Sequence, residues 1–400
     1  MPRAAPPLVM VSANQAWNLV NFRAGLIRAL IARGYAVLAV APPDSVWEAR
    51  LAEMGCGFAP LPVDSSGLSP WRDLATLRAI DRLMRRHRPV AWLSWTIKPN
   101  CYGALAARRR GVVALPNVSG LGTVFIRPSL VTSIAQGLYR LAFQRCPAVF
   151  FQNGDDRDLF VARRLVRPEQ ARLLPGSGVD LARFAVPEGG RPGRGRFLMI
   201  ARLLADKGVR EYVAAARRVR AELPDARFTI VGAVDADNRT AIPRAELDGW
   251  LSEGVIDWVP PVDDVRPLIA AADWIVLPSY REGASRVLIE ATAMGRPVVT
   301  TDVPGCRDLV TDGENGLVCG PRDAVALAAA LARAAAMPDA AWHAMARRGR
   351  ARAERDHDEA LVAARYFEVL ARAGVNSGAD ARDTAGCASH AADHPIDNGV

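Results

Sequence analysis

Short apolar runs alternate with amphipathic segments along the first half of the chain. The runs have the length and the β-branched or aromatic content of buried strands, and we predict strands at residues 8–12, 35–42, 89–95 and 147–153. Hydrophobic positions recur at helical spacing in between, which predicts helices near residues 18–33, 74–86, 102–110 and 129–145. This alternation is typical of a parallel sheet with crossover helices.

The same alternation of apolar runs and amphipathic segments recurs in the second half. Apolar runs predict strands at residues 197–203, 226–232, 255–260, 274–278 and 298–302. Helical spacing predicts helices near residues 208–223, 243–252, 285–294, 321–337 and 358–373. The second half therefore reads as another α/β unit.

A Pro-, Gly- and Arg-rich segment, AVPEGGRPGRGR, separates the two halves. Since 400 residues are too many for one compact core, we predict two doubly wound α/β domains, at residues 1–187 and 197–355, with 188–196 as a linker. Residues 356–374 form a C-terminal helix that can cross back to the first domain. The aperiodic remainder, 375–400, is predicted to be disordered. Such domains bind ligands at the carboxyl ends of their strands, so two facing domains enclose a central cleft.

Charge is distributed unevenly between the halves. Residues 1–187 carry 24 Lys and Arg against 11 Asp and Glu, whereas the remainder carries 27 against 31. A basic first domain suits anionic lipid headgroups, a phosphorylated acceptor or nucleic acid, although a merely solvated surface is also compatible. Six cysteines without metal-type spacing indicate reduced thiols in the cytosol.

The stretch PSYREGASRVLIEATAMGRPVV places two carboxylates beside a helix start, directly after a predicted strand. Glu282 lies in the turn, and Gly283 allows close approach to the backbone. Ser285 is a plausible N-cap, so backbone N–H groups of Ala284, Ser285, Arg286 and Val287 can receive a phosphate. Glu290, inside the helix, can accept hydrogen bonds from a ribose diol. Two surface carboxylates remain the plain alternative.

The segment IARLLADKG repeats this strand–loop–helix order some seventy residues earlier. Arg202 offers a bidentate fork and Lys207 a point charge, a pair suited to a diphosphate. A capped helix with solvated ends is the alternative.

These two segments together resemble the retaining family-4 glycosyltransferases of the GT-B fold, in which two Rossmann-like domains face a cleft. Glu282 and Glu290 match the family's Glu-x7-Glu signature, and Arg202 and Lys207 match its donor-diphosphate loop. The resemblance extends to about residue 372. It is greatest to the branch that builds bacterial O-antigen, capsule and lipid-linked oligosaccharide, where SWTIKPNCYG, NVSGLG, FFQNGDDRDLF and LLPGSGVD also have counterparts.

The resemblance implies transfer of a hexose or N-acetylhexosamine from a nucleotide-diphosphate sugar, UDP being expected, to a lipid-linked saccharide, with retention of configuration. Arg202 and Lys207 would stabilise the departing diphosphate, Glu282 would hold the sugar and Glu290 the ribose. Backbone around Val262 and Asp263 is expected to contact the base. Gly120 and Gly122 can offer backbone groups to the sugar.

Two departures from the family pattern concern the sugar contacts. The first strand is followed by SANQAWNLVNF, without the usual glycine pair, and PNVSGLGTVF contains no histidine. No metal or other cofactor is expected. Asp-x-Asp occurs three times, from Asp156, Asp235 and Asp356, so it does not single out a cation site.

The acceptor is expected on the first domain. Lys98 and Asn100 follow the strand at 89–95, and we predict that they contact the acceptor or a phosphate. The helix at 127–145 mixes aliphatic residues with terminal arginines, so it suits either a membrane surface or an ordinary core-facing role. Nucleic acid is not expected, because aromatic and basic residues are not interleaved.

The expected location is peripheral, on the cytoplasmic face of a bacterial inner membrane, with contact to its anionic surface. Two other functions share this fold. A nucleotide-sugar 2-epimerase needs acid/base groups around the sugar, which a histidine-poor site does not favour. A catalytically silent partner subunit is expected to lack one of the four signature residues, and all four are present.

Overall fold

The computed structural model describes residues 5–63, 69–121, 130–235 and 238–377. These residues form two compact units. The first unit contains the chain up to Phe151, then Arg157–Leu174, then the described residues from Val362 onward. The second contains Gln152–Asp156 and Pro175–Leu361. Residues from the C-terminal end of the described chain therefore complete the N-terminal unit.

The first unit is built on a seven-stranded parallel sheet in the order β3-β2-β1-β4-β5-β6-β7. Its strands are β1 Leu8–Ser12, β2 Ala36–Ala41, β3 Gly57–Pro60, β4 Ala91–Trp95, β5 Val113–Val118, β6 Val149–Phe151 and β7 Ala171–Leu173. Its helices are α1 Ala16–Ala32, α2 Ser45–Glu53, α3 Pro70–His87, α4 Ile97–Arg110, α5 Leu130–Phe143, most of α6 Gly154–Ala162 and most of α13 Glu359–Arg372.

Apolar side chains cover both faces of this sheet, as a fully buried parallel sheet requires. Val9 and Val11 pack toward α1, α2 and α13, where Tyr366 lies fully buried. Met10 and Trp92 pack on the opposite face, toward α3, α4 and α5.

The second unit has a six-stranded parallel sheet in the order β10-β9-β8-β11-β12-β13. Its strands are β8 Arg196–Ile200, β9 Arg227–Val231, β10 Asp257–Val259, β11 Trp274–Leu277, β12 Val298–Thr301 and β13 Gly316–Cys319. Its helices are α7 Val209–Glu222, α8 Arg244–Ser252, α9 Arg266–Ala271, α10 Arg286–Ala293, α11 Ala324–Ala336 and α12 Asp339–Asp356. The strand order reverses between β8 and β11, and such a switch point is where open α/β sheets bind ligands.

The predicted linker at residues 188–196 lies within the second unit, because the two units divide between Leu174 and Pro175. A buried ion pair accounts for its position. The Arg191 guanidinium donates to both carboxylate oxygens of Asp273, at 2.8 and 3.0 Å, and Asp273 also accepts from the Gly195 N–H. Of the predicted tail, 375–400, residues 378–400 lie outside the described residues; Val375 packs in the first unit's core.

The helices differ from the sequence expectation in the start of α4 and in helices that the prediction omitted. α4 begins at Ile97 rather than near residue 102, because Pro99 is compatible with the first turn, where its missing N–H has no acceptor to lose. α2, α6 and α12 were not among the predicted helices, and α12 is eighteen residues long. Its buried residues nevertheless recur at helical spacing, at Trp342, Met345, Ala346, Gly349 and Ala353.

Candidate functional site

The loops that follow β8 and β11 meet at the switch point of the second unit. After β8, the chain makes a single 3-10 turn, Ala205–Lys207, and Gly208 then precedes α7 at a φ of 74°. A side chain at Gly208 would place its Cβ 2.1 Å from the carbonyl oxygen of Pro278, just past β11. The two loops are therefore in contact at the backbone level, and glycine is required there.

Lys207 and Glu282 form an ion pair across these loops. The Lys207 ammonium donates to the Glu282 carboxylate, and the same oxygen accepts from the Ser279 hydroxyl at 2.6 Å. Both side chains of the pair are largely buried, with 24% and 14% exposed. The structure thus brings together two of the predicted site residues from positions 75 apart in the chain.

The helix start that follows Glu282 has the predicted cap. Ser285 has extended backbone angles, and its hydroxyl accepts from the Leu288 N–H at 3.4 Å as α10 begins. The Ser285 N–H itself donates to the Gly305 carbonyl, so this one of the predicted phosphate donors is occupied. The first-turn N–H of Val287 lacks an intrahelical acceptor, as first-turn positions do.

Glu290 lies buried in α10, where its carboxylate accepts from the Arg286 guanidinium at 2.6 Å. Burial raises the pKa of this carboxyl group, and the positive charge of Arg286 opposes the rise. Asp264 raises the Glu290 pKa further through its negative charge. The connection between β10 and α9, which carries the predicted base contacts Val262 and Asp263, therefore lies near Glu290. Both of those residues are exposed.

Arg202 is directed elsewhere in the structure. Its side chain is 59% exposed, and its guanidinium donates to Asp235, in the loop after β9, at 2.9 Å. Of the predicted diphosphate pair, Lys207 therefore lies where the β8 and β11 loops meet. Arg202 is exposed and pairs with a different carboxylate, that of Asp235.

A buried anchor for the Glu282 loop comes from a segment that sequence reasoning did not assign. The Asn153 amide donates to the carbonyl of Gly283 at 2.7 Å and to that of Glu282 at 3.4 Å. Asp156, fully buried, forms an ion pair with Arg281 and accepts from Asn153. Both Asn153 and Asp156 belong to the second unit. The segment FFQNGDDRDLF could have indicated this anchor, because its polar residues directly follow a buried strand. The carboxyl ends of parallel strands are where such sheets place functional residues.

A turn after β12 supports the same loop from another side. The Glu282 N–H donates to the Pro304 carbonyl at 3.0 Å. Gly305, with a φ of 78°, lies so near that an added Cβ would be 2.5 Å from the Glu282 carbonyl oxygen. Residues 281–285 are therefore fixed on two sides before any ligand binds.

The predicted acceptor residues have internal partners in the first unit. Lys98 forms a largely buried salt bridge with Asp73 at 2.9 Å, and the Asn100 amide donates to the Asn117 carbonyl at 2.8 Å. Both lie in the first turn of α4 rather than in a loop. Gly120 follows β5 with a φ of 138°, while Gly122 lies outside the described residues.

Among the described residues, no group of three or more His, Cys, Asp or Glu side chains is placed to hold a metal ion. In the same part of the chain, no single helix has the length and apolar character needed to cross a membrane. One pair, α11 with α12 at an angle of 110°, meets that requirement jointly by length and composition.

The fold defines a class of protein built from two Rossmann-like α/β units. Residues 194–336 match the family described as glycosyl transferases group 1, and residues 21–177 match the glycosyl transferase 4-like domain. The chain belongs to these glycosyltransferases. The predicted α/β architecture with two Rossmann-like domains, the GT-B fold, is confirmed.

Known proteins match over most of the chain. An N,N'-diacetylbacillosaminyl-diphospho-undecaprenol alpha-1,3-N-acetylgalactosaminyltransferase from Campylobacter jejuni is 24% identical over 372 residues, covering 89% of this chain and 96% of that protein. A glycogen synthase from Mycobacterium tuberculosis is 32% identical over 202 residues, 48% of this chain and 46% of its own length. The structure of Alr3699/HepE from Anabaena in complex with UDP-glucose superposes with a TM-score of 0.76 at 16% identity, covering 92% of this chain and all of that one.

Proposed function

We propose that the protein is a retaining transferase that moves a hexose or N-acetylhexosamine from a UDP-sugar to a lipid-linked saccharide during bacterial surface polysaccharide synthesis. The observation that carries the proposal is the Lys207–Glu282 contact at the β8/β11 switch point, beside the capped start of α10. The C. jejuni relative, which by its name acts on a diphospho-undecaprenol saccharide, supports the acceptor class.

In this proposal the donor displaces the internal ion pairs. The diphosphate takes the Lys207 ammonium from Glu282 and attracts Arg202 away from Asp235, and both cations stabilise negative charge on the leaving group. The N–H groups at the start of α10 add to this. Glu282 is then available to hydroxyls of the transferred sugar, and Glu290 to the ribose diol. In the same proposal, the backbone around Val262 and Asp263 contacts the base.

The acceptor is proposed to bind the first unit, with Gly120 and Gly122 near the sugar and Lys98 and Asn100 beneath the acceptor. Since Lys98 and Asn100 already have internal partners, we propose that they shape the surface on which the acceptor binds. Attack from the face on which the leaving group departs retains the configuration without a protein nucleophile. No metal ion is required in this scheme, because Arg202, Lys207 and the helix start supply the positive charge.

The proposed location is peripheral, at the cytoplasmic face of the inner membrane. A 2-epimerase or a silent partner subunit is not favoured, because both halves of the chain match families described as glycosyl transferases.

The test is incubation with UDP-, GDP- and dTDP-sugars and a diphospho-polyprenyl saccharide, with and without EDTA. We expect transfer to the lipid from a UDP-sugar, at the same rate in EDTA, with an α-linked product from an α-linked donor. Release of an epimerised free sugar, or an inverted linkage, would contradict the proposal. Thermal shift with each nucleotide identifies the donor independently, since a ligand of the folded state raises the melting temperature.

A further inference from the structure

The solvent-facing side of α3 carries a row of arginines with a tryptophan at its beginning. The buried residues of this helix, Asp73, Thr76, Ile80 and Met84, define its inner side. At 100° per residue, the residues on the opposite side are Trp71, Arg78, Arg82 and Arg85, spaced i, i+7, i+11 and i+14. We call these four residues the α3 stripe. It extends about 21 Å along the helix axis.

The four side chains of the α3 stripe are exposed. Trp71 is 82% exposed, more than any other large hydrophobic side chain in the part of the chain that the structure describes. None of Arg78, Arg82 and Arg85 forms a salt bridge with a described residue. The two acids of the helix are engaged elsewhere, Asp73 with Lys98 and Asp81 with Arg110.

This arrangement does not stabilise the helix by itself. Like charges three and four residues apart, as in Arg82–Arg85 and Arg78–Arg82, destabilise a helix by a few tenths of a kcal/mol per pair. Arg85 complements the helix dipole in the last turn, but Arg78 and Arg82 lie outside that turn. Two exposed arginines on α7 of the second unit have acidic partners by contrast: Arg210 pairs with Glu246 and Arg217 with Glu253. The unpaired row therefore suits an anion outside the protein.

We propose that the α3 stripe docks the protein on an anionic lipid surface, with Trp71 inserted at the headgroup level. A tryptophan with an apolar body and one polar N–H prefers the membrane interface, and arginines bind anionic headgroups electrostatically. One terminal aromatic residue does not form a base-stacking platform, which disfavours nucleic acid. The inference deepens the proposed function, on which it rests, because a lipid-linked acceptor requires an enzyme that works at a membrane.

The test is co-sedimentation of the full-length protein with phosphatidylglycerol-containing vesicles and with vesicles of phosphatidylcholine alone. Each arginine at an anionic surface contributes about fivefold to partitioning, so replacement of Arg78, Arg82 and Arg85 by Gln is expected to reduce binding on the order of a hundredfold at low salt. Glutamine keeps the helix propensity. Replacement of exposed Arg218, Arg227 and Arg347 in the second unit removes the same charge and is expected to change binding little. Trp71→Ala is expected to weaken binding also at high salt, where the electrostatic part is screened.

Three outcomes overturn the inference. The first is unchanged vesicle binding in the triple α3 variant. The second is loss of binding only in Ile134→Ser with Leu141→Ser, which would assign docking to the exposed aliphatic residues of α5. Binding of an RNA or DNA duplex that competes with vesicles and needs the same arginines would also contradict it.

Sugar transfer to a short-chain acceptor in detergent is measured in parallel. The triple variant should retain this transfer. A wild-type protein that binds vesicles but transfers no sugar would refute the proposed function alone.

Discussion

Lys207 and Glu282 neutralise each other, and this pairing has a functional consequence. A cation that is held by a nearby carboxylate is positioned for a diphosphate without being left uncompensated in a largely buried site. Because Glu282 already orders the Lys207 side chain, donor binding avoids the entropy cost of immobilising a free side chain. The position of the lysine is thereby set before the donor arrives.

Lys207→Ala is expected to reduce kcat about 10²- to 10³-fold, because it removes the charge opposite the leaving diphosphate. Steady-state kinetics with the UDP-sugar measure this. Arg217→Ala, which removes an exposed paired cation from the same unit, is the control and should leave kcat unchanged. Equal rates for Lys207→Ala and the wild type would remove Lys207 from the mechanism.

Asn153→Ala tests the buried anchor of the Glu282 loop. It leaves the Gly283 carbonyl without its amide donor, and the loss of such a buried partner costs about 1–3 kcal/mol. We expect lower thermal stability and a kcat reduced about tenfold or more, because small displacements of a positioned group are costly in rate. The matched control is Asn315→Ala, a buried amide in the same unit that holds the Leu309 carbonyl. It should lower stability but not kcat, and an identical pattern in both variants would reduce Asn153 to a purely structural role.

At the scale of elements, the order of strands and helices was largely predictable. The buried strands of both units carry continuous apolar runs, and Ser285 marks the start of α10 as a capping residue should. α12 was not predicted because arginines and other polar residues separate its apolar positions. The meeting of the β8 and β11 loops follows from parallel topology, since both strands end at the same edge. The direction of the Arg202 side chain and the Asn153 anchor could not be predicted, because both depend on long-range packing rather than on local pattern.

The junction between α12 and α13 contains a buried histidine. The backbone carbonyl of His357 accepts a hydrogen bond from the Val179 N–H. The ring Nδ1 of His357 lies 3.1 Å from the Pro175 carbonyl oxygen. Burial lowers the pKa of this imidazole, and the Pro175 carbonyl opposes the change. Asp356 raises the same pKa, while Arg352 and Arg355 lower it.

This lowered pKa predicts a pH dependence of stability. Between its lowered pKa and the ordinary value of about 6.5, the unfolded chain binds a proton that the folded chain does not, so the free energy of unfolding decreases as the pH falls through that range. Above pH 6.5 the imidazole is neutral in the folded and the unfolded chain, so this loss of stability is absent. His357→Gln should flatten the profile of melting temperature against pH over this window, whereas His87→Gln should preserve it. A wild-type slope in His357→Gln would exclude this histidine as its source.

At the scale of the whole molecule, the first unit depends on the far end of the described chain. Tyr366 of α13 is buried against Phe150, with ring centroids 4.5 Å apart, and its hydroxyl accepts from the Asn117 amide at 3.1 Å. Tyr35 donates to the Val375 carbonyl in the same unit. The helix α13 is therefore part of this core rather than an appendage.

Tyr366→Ala is expected to destabilise the first unit by about 3–5 kcal/mol, because a large aromatic side chain leaves a cavity. Tyr366→Phe removes only the hydrogen bond and should cost about 1 kcal/mol. Urea unfolding followed with probes in each unit measures both changes. The loss should appear in the transition of the first unit, and an equal shift in both transitions would indicate that the two units unfold as one.

The position of α13 after the second unit also affects how the protein folds during its synthesis. Domains usually fold in order as they are synthesised, the N-terminal one first. Here the core of the first unit lacks Tyr366 until α13 has been translated, which happens after the strands of the second unit. The nascent chain therefore exposes an apolar surface throughout the synthesis of the second unit, which makes it a natural client for chaperones that shield growing polypeptides.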